Sequence, residues 1–356
     1  TRLVEGLPEG EIGRIGLDVY RRDGNLVFAT VEARGGQTGF YGSTDRGDTW
    51  EKLSSTNPRP MYFSQVRVDP NDPERVYVGG QNLMRSDDGG RTFTSEGAQN
   101  VHLDHHALWI DPSDSNHLLL GSDGGVSTSF DRSETWRFYD NLPIAQFYEI
   151  GFDNRRPYWV CGGLQDNGTW CGPTNTLDSQ GIRNADWQNV GGGDGFYVRI
   201  DPADPTVIYT ESQNGSVGRL DADTGERASI RPIPRFELDE GTIPKKEYPS
   251  AVDPDEEARQ YRFNWNTPLV VSVHDPSTIY LGSQMLLKST DRGLKWTQIS
   301  PDLTFDIDRS ELPIMDVLPS DSMLARHDGV NRYSTVTVMA ESPLNPNVLY
   351  TGSDDG

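Results

Sequence analysis

Apolar residues along this 356-residue chain come in short runs, paired across a turn of Pro, Asp or Asn. "VRVDPNDPERVYVGG" (Val66–Gly80) is the clearest instance. "LWIDPSDSNHLLLGS" (Leu108–Ser122), "VRIDPADPTVIYTES" (Val198–Ser212), "VSVHDPSTIYLGS" (Val271–Ser283) and "MAESPLNPNVLYTGS" (Met339–Ser353) repeat it. Weaker copies are "IGLDVYRRDGNLVFAT" (Ile15–Thr30) and "IGFDNRRPYWVCGG" (Ile150–Gly163). Apolar run, turn, apolar run predicts a β-hairpin in each case. The hairpins recur at steps of roughly 40 to 75 residues, a period that suits four strands per unit. Such a unit cannot bury both faces alone, so units stack. The expected fold class is all-β: a β-propeller of four-stranded blades, with about seven repeat units in this segment.

A second string runs in phase with the first. "STDRGDTW" (Ser43–Trp50) is echoed by "SDDGGRTF" (Ser86–Phe93), "SFDRSETW" (Ser129–Trp136) and "STDRGLKW" (Ser289–Trp296). Each follows a hairpin's second run within a few residues and precedes another short strand. An Asp at the third position can accept from the backbone N–H groups of a tight turn, and a Gly at the fifth supplies a permissive backbone angle. Asp45, Asp88, Asp131 and Asp291 are therefore expected to staple hairpins rather than to do chemistry. The third copy has Ser133 where the others have Gly. Residues 237–266 and 302–333 are charged and contain Pro, and read as surface loops. The last unit stops at "YTGSDDG", before its outer strands, so either the N-terminal residues complete the ring or residues 1–356 are a propeller segment of a longer chain, part of a larger or double propeller; the second is the leading expectation.

Composition narrows the class. Hydrophobic residues are 34%, against 37 Gly and 23 Pro, a balance for short strands and tight turns. No apolar run approaches the ~20 residues of a membrane helix. The net charge of -22 repels phosphate backbones and argues against nucleic acid as a partner. Only five residues are Lys, which fits a high-salt habitat and GC-rich coding bias equally. Cys161 and Cys171 flank "GGLQDNGTW", which reads as a loop; they are either a disulfide formed in an oxidising compartment or two free thiols.

Four polar strings have no obvious hairpin duty: "LDHHALW" (Leu103–Trp109), "GSDGGV" (Gly121–Val126), "GGLQDNGTW" (Gly162–Trp170) and "VGGGDGFY" (Val190–Tyr197). All lie at the ends of candidate inner strands, which in a propeller approach the mouth of the central channel. Strand alternation puts Asp104 and His106 on one face and His105 on the other. Such groups line a channel or, with a third carboxylate, bind a cation. A structural calcium or sodium ion is the one cofactor the Asp-rich loops leave room for. Asp123, Asp166 and Asp194 lie beside glycines, and two carboxylates facing one cleft are what glycoside hydrolysis needs. Asp-Gly and Asp-Asn-Gly are also common turns. Gln165 and Asn167 add amides, and Trp170 and Trp265 sit in polar sequence as stacking platforms.

The Ser-x-Asp-x-Gly-x-x-Trp string resembles the Asp-box, or BNR repeat, of sialidases, sortilins and two-propeller xyloglucanases, where it lies away from the active centre. Across nearly its whole length the chain resembles a bacterial family of sortilin-like (VPS10-like) BNR-repeat propellers, often labelled glycosyl hydrolase by similarity. "GLPEGEIGRIGLDVY", "NPRPMYFSQVRVDPNDP", "DHHALWIDP", "DNLPIAQFYEIGFDNRRPYWVCGGLQDNGTW", "VGGGDGFYVRIDP", "YRFNWNTP" and "TDRGLKWTQISPDLT" carry that resemblance. It implies an exported protein, whether secreted, periplasmic or at the cell surface. Sialidases carry an "RIP" segment, whereas "GRIG" (Gly13–Gly16) lacks the Pro. Xyloglucanases use two aspartates in a cleft, a part for which Asp123 or Asp194 is the candidate. Sortilins bind peptides without chemistry. The leading expectation is a non-catalytic propeller gripping a protein segment or a glycan at the channel mouth. The alternative is a glycoside hydrolase with an Asp pair as acid and base or nucleophile.

Overall fold

The computed structural model describes residues 5–63, 65–142, 144–232, 261–320, 323–324, 326 and 332–356. The fold is all-β: among the described residues the helical elements are three short 3-10 turns. The chain divides into two compact units, Thr1–Pro143 with Ser320–Arg326, and Ile144–Pro319 with His327–Gly356. No helix of the described residues is long and apolar enough to cross a membrane.

Unit 1 holds three antiparallel sheets. Sheet I is β1 (Ile12–Val19), β2 (Val27–Ala33), β3 (Gly39–Ser43) and β4 (Glu51–Ser54). Sheet II is β5 (Val66–Asp69), β6 (Asp72–Val78) and β7 (Met84–Ser86). Sheet III is β8 (His105–Ile110), β9 (Leu118–Ser122), β10 (Gly125–Ser129) and β11 (Arg137–Phe138).

Unit 2 holds four more. Sheet IV is β12 (Glu149–Phe152), β13 (Trp159–Leu164), β14 (Gly168–Pro173) and β15 (Gln188–Gly191). Sheet V is β16 (Val198–Ile200), β17 (Val207–Ser212), β18 (Ser216–Asp221) and β19 (Arg227–Ser229). Sheet VI is β20 (Leu269–Val271), β21 (Ile279–Gly282), β22 (Leu286–Ser289) and β23 (Thr297–Gln298). Sheet VII is the pair β24 (Val336–Glu341) and β25 (Leu349–Ser353).

Each expected hairpin is present as the first two strands of a sheet, joined by nearest-neighbour antiparallel pairing. Five sheets reach four strands; sheet II has three and sheet VII two. The Asp-Pro turns work through side-chain acceptors. The N–H groups of Asn71, Ser113, Ala203 and Ser277 donate to Asp69, Asp111, Asp201 and Asp275 at 2.8–3.0 Å.

Within each unit, consecutive sheets pack face to face. Phe28 and Phe40 of sheet I meet Val66, Val68, Val76 and Val78 of sheet II. Tyr77 of sheet II meets Leu108, Ile110, Leu118 and Leu120 of sheet III. In unit 2, Cys161, Cys171 and Val190 meet Val198, Ile200 and Ile208. Tyr209 and Val217 meet Leu269, Ile279 and Leu281, and Tyr280 meets Val336 and Met339. Burying one such side chain fully contributes roughly 1.5–3 kcal/mol.

The four Ser-x-Asp strings form one hydrogen-bonded turn, each between the third strand of its sheet and the segment that follows. In sheet I, Ser43 Oγ donates to Asp45 Oδ1 at 2.8 Å, and Gly47 N–H donates to Ser43 Oγ at 2.8 Å. Thr49 N–H donates to Asp45 Oδ1 at 2.9 Å and its hydroxyl to Oδ2 at 2.6 Å. The same bonds recur around Asp88, Asp131 and, without the hydroxyl, Asp291. The fifth position has φ +90° at Gly47, +89° at Gly90 and +90° at Gly293. At Gly90 a Cβ would lie 2.2 Å from the Phe40 ring of sheet I. Ser133 holds φ 73° without being glycine, at a cost of order 1 kcal/mol. Its hydroxyl lies 3.2 Å from Tyr77 OH in sheet II, a bond that offsets that cost.

These turns also reach back to the sheet before. Phe93 packs edge-on against Phe40 at 5.1 Å. Trp136 Nε1 donates to Gly97 O and Trp296 Nε1 to Ile230 O. Arg132 donates to Asp69 and Asp72 of sheet II, and Arg292 Nε donates to Asp201 of sheet V at 2.8 Å. Asp69 and Asp201 are each 0% exposed. The carbonyls of the same arginines accept from Arg75 and Arg219 of those preceding sheets.

Residues 237–260 of the first predicted surface loop lie outside the described residues; Phe263, near its end, is buried in the core between sheets V and VI. One expectation changes. Cys161 and Cys171 are not the ends of a loop. They face each other across β13 and β14 and are joined as a disulfide.

Arg292→Ala strands a fully buried carboxylate and is expected to cost about 3 kcal/mol in urea unfolding. Arg46→Ala, which removes only an exposed bond to Asn25, is expected to cost about 0.5–1 kcal/mol; equal effects would contradict the latch. In acid, the hydroxyl and N–H of Thr92 hold the Asp88 carboxyl down at about 2, below its ordinary 3.8. Its contribution is complete above the unfolded value and disappears as pH falls through about 2. Asp88→Asn is expected to flatten the stability–pH curve in that window and leave its shape at pH 6–8 unchanged.

Candidate functional site

In an antiparallel meander, the entry to the first strand and the turn between the second and third lie at one end. The turn between the third and fourth lies at the other. Sheet III therefore carries Asp104, His106 and Asp123 at one end and the Asp131 staple at the opposite end. In sheet IV, Asp166 lies in the β13–β14 turn, and Asp194 follows β15 at the same end. The candidate acids and the staples are separated by the length of a strand.

In unit 1, Asp104 precedes β8 with φ 64°, a conformation that short polar residues tolerate. Its carbonyl accepts from Asp123 N–H at 3.3 Å. Carboxylate oxygens of Asp104 and Asp123 lie within 4.8 Å of each other. Burial, then the charge of Asp123, pushes the Asp104 carboxyl above its ordinary range. His106 Nε2 lies 3.2 Å from Asp123 Oδ1.

His105 does not take the ligand-binding part expected of it. It is 2% exposed, in the core beside a small cavity lined by Gln65, Arg67, Tyr77, Leu83 and Leu108. Burial pushes its imidazole down to about 4, so it is neutral at physiological pH. His105 points into the sheet packing, while His106 meets Asp123. A β-bulge between His105 and Ala107 sets the two apart.

In unit 2, Asp166 also has a positive φ, 63°. Its N–H donates to Asp194 Oδ1 at 3.1 Å. Gly168 N–H donates to Gly193 O, and Gly195 N–H donates to Leu164 O. A Cβ on Gly195 would lie 2.2 Å from Gly168 O, so only glycine lets this strap close over the hairpin. Asp194 is 6% exposed. Its observed bond is to backbone, which makes it an anchor for the turn. Gln165 accepts from Tyr148 OH, Asn167 Nδ2 donates to Gln165 O, and Trp170 Nε1 donates to Asn167 O at 2.8 Å. Trp170 belongs to β14 and is half-buried, not a loop residue. Trp265 is half-buried edge-on to Phe196 at 6.3 Å, and Phe196 is edge-on to Tyr148.

Three further residues were not singled out by sequence. Tyr62 and Arg59, inside "NPRPMYF", lie beside His106, with the Arg59 guanidinium 4.5 Å from the Tyr62 ring centre. Nothing in that string marks it as site-forming. Glu211 is 0% exposed, accepts from Thr267 N–H, and is pushed up to about 9 by burial. A Glu inside the apolar run "VIYTES" was the available signal.

Asp194→Ala removes the acceptor for Asp166 N–H and is expected to cost about 1–2 kcal/mol in thermal or urea unfolding. Asp194→Asn retains an acceptor oxygen and is expected to unfold within about 0.5 kcal/mol of wild type. An Asn variant as unstable as Ala would show that the charge itself is needed.

No protein-family model matches the chain. An oligoxyloglucan-reducing end-specific xyloglucanase of Emericella nidulans is 25% identical over 174 residues, 43% of this chain and 20% of that enzyme. The match thus spans about a fifth of the relative's length, and the chain is a distant relative of xyloglucanases. Among solved structures, the GH74 xyloglucanase of Xanthomonas campestris shares 14% identity over 96% of this chain and 44% of its own, with a TM-score of 0.29. The GH74 enzyme of Niastella koreensis shares 16% over 81% and 59%, with a TM-score of 0.31. YCF48 bound to D1 peptide shares 13% over 83% and 87%, with a TM-score of 0.29.

Proposed function

We propose that this chain is a glycan-acting, propeller-type module of an exported protein, and that Asp104 and Asp123 are its acid–base pair. The observation that carries the reading is the pairing itself. Two carboxylates approach within 4.8 Å at the end of sheet III away from the staple, and one is held above its ordinary range by burial and by the other's charge. Environments that separate two carboxyls in this way assign acid and base. Asp104 would donate its proton to the departing glycosidic oxygen. Asp123 would act on water or on the sugar carbon as base or nucleophile. The distant xyloglucanase relative supports a β-glucan substrate. The Cys161–Cys171 disulfide supports an oxidising compartment.

One observation favours a second reading, a non-catalytic grip on a glycan or protein segment. In unit 2, Asp194 serves the backbone, while Gln165, Tyr148 and Trp265 offer amide, hydroxyl and ring surface.

The test is release of reducing sugar from xyloglucan oligosaccharides and β-glucans. Asp123→Asn is expected to lower kcat by about a thousandfold and Asp104→Asn by about a hundredfold, both folded. Asp104 must be protonated to act, so activity is expected to fall as pH rises through its raised value, above the ordinary carboxylate range. Absence of release with retained glycan binding would favour the second reading; absence of both would overturn the proposal.

A further inference from the structure

His106 is the extra residue of the bulge that opens β8: His105 pairs with Ser122 and Ala107 with Gly121, leaving His106 between them. A bulge re-aims a side chain at the expense of ladder pairing. Leu108 and Ile110 are buried and Ala107 and Trp109 exposed, so unbroken alternation would bury His106; the bulge turns its imidazole out and puts His105 in the core instead. The His106 ring is then held by two aromatic neighbours, Phe63 at 5.0 Å and Tyr62 edge-on at 5.2 Å. Tyr62 is itself covered by the Arg59 guanidinium. Ring packing fixes the imidazole plane, and Nε2 is left 3.2 Å from Asp123 Oδ1.

We propose that His106 is a positioning residue for Asp123, an imidazole N–H donor that fixes the plane of the carboxylate facing Asp104. Its catalytic meaning rests on the glycoside-hydrolase reading above; the contact itself does not. A bond from Nε2–H to Oδ1 restrains rotation of the Asp123 carboxylate, and its loss widens the range of directions in which Oδ2 is presented. The arrangement is the one by which outer partners orient a working group elsewhere, where their loss typically costs 10–100-fold. A purely structural histidine here would need only its ring, because the packing partners on both sides are aromatic. Within unit 1 the ionisable and charged groups around the pair include Arg59, His102, His105 and Tyr62, besides Asp104, Asp123 and His106 themselves.

Two substitutions separate ring from N–H. His106→Phe keeps the packing between Tyr62 and Phe63 and removes the donor. His106→Gln keeps an N–H donor and gives up the ring and the charge. On xyloglucan oligosaccharides, His106→Phe is expected to lower kcat by about 10–100-fold with KM within about twofold, and His106→Gln to recover to within about threefold of wild type. A second readout needs no turnover: the carboxyl 13C titration of Asp104. The charge of His106 holds that carboxyl down, so both variants are expected to move its midpoint upward. Wild-type kcat in His106→Phe, or a Gln variant no better than Phe, would overturn the positioning role. An unmoved Asp104 titration would overturn the contact. If the wild-type protein cleaves no glycan, the hydrolase reading fails, and the Asp104 titration still decides whether His106 faces the pair.

Discussion

Sheets II and III, and sheets V and VI, are held by one recurring joint: a fully buried aspartate in the first turn of one sheet, bonded by an arginine from the third-to-fourth turn of the next. Asp69 with Arg132 and Asp201 with Arg292 are the two copies. A buried carboxylate without a partner is strongly destabilising, so each copy ties the apolar contact of two sheets to one geometry. The staple aspartate beside each arginine does not touch the preceding sheet. It shapes the turn so that the arginine, at positive φ, and the aromatic residue that ends the string can do so.

That division of labour frees the opposite ends of the sheets. Among the described residues, the entry to the first strand and the second-to-third turn carry no inter-sheet Asp–Arg joint; their inter-sheet bonds include ones through backbone N–H groups, as from His105 N–H to Gly80 O and from Thr267 N–H to Glu211. These ends hold Asp104, His106 and Asp123 in unit 1, and Asp166 and Asp194 in unit 2. The two sets diverge in chemistry. In unit 1 a bulge and an aromatic clamp place an imidazole and a second carboxyl against Asp123. In unit 2 the Gly-rich strap draws Asp194 onto the hairpin backbone. Two strings of similar composition thus yield a paired acid in one unit and a structural anchor in the other.

The hairpins and staples were legible because both rest on local chemistry. Asp-Pro turns and the Ser-x-Asp string satisfy backbone groups within a few residues, and spacing alone records that. The joint was not legible, since it pairs Asp69 with a residue 63 positions away. Asp104 and Asp123 could be listed as candidates, but their approach depends on register across β8 and β9. Alternation along β8 would bury His106 with Leu108 and Ile110; the bulge reverses this and buries His105, and nothing in the sequence records the bulge. Phe263 was hidden by the charged sequence before it, and the strand placement of Trp170 by the polar residues around it.

The central claim is that ligand meets this molecule at the strand ends bearing Asp104 and Asp123, and never at the stapled ends. Hydrogen–deuterium exchange with and without a xyloglucan oligosaccharide measures this directly. The account predicts slowed exchange in residues 57–63, 102–106 and 122–125, with residues 43–50, 86–93, 129–136 and 289–296 unchanged. Protection centred on those four stapled turns, with residues 102–106 and 122–125 unaffected, would contradict it.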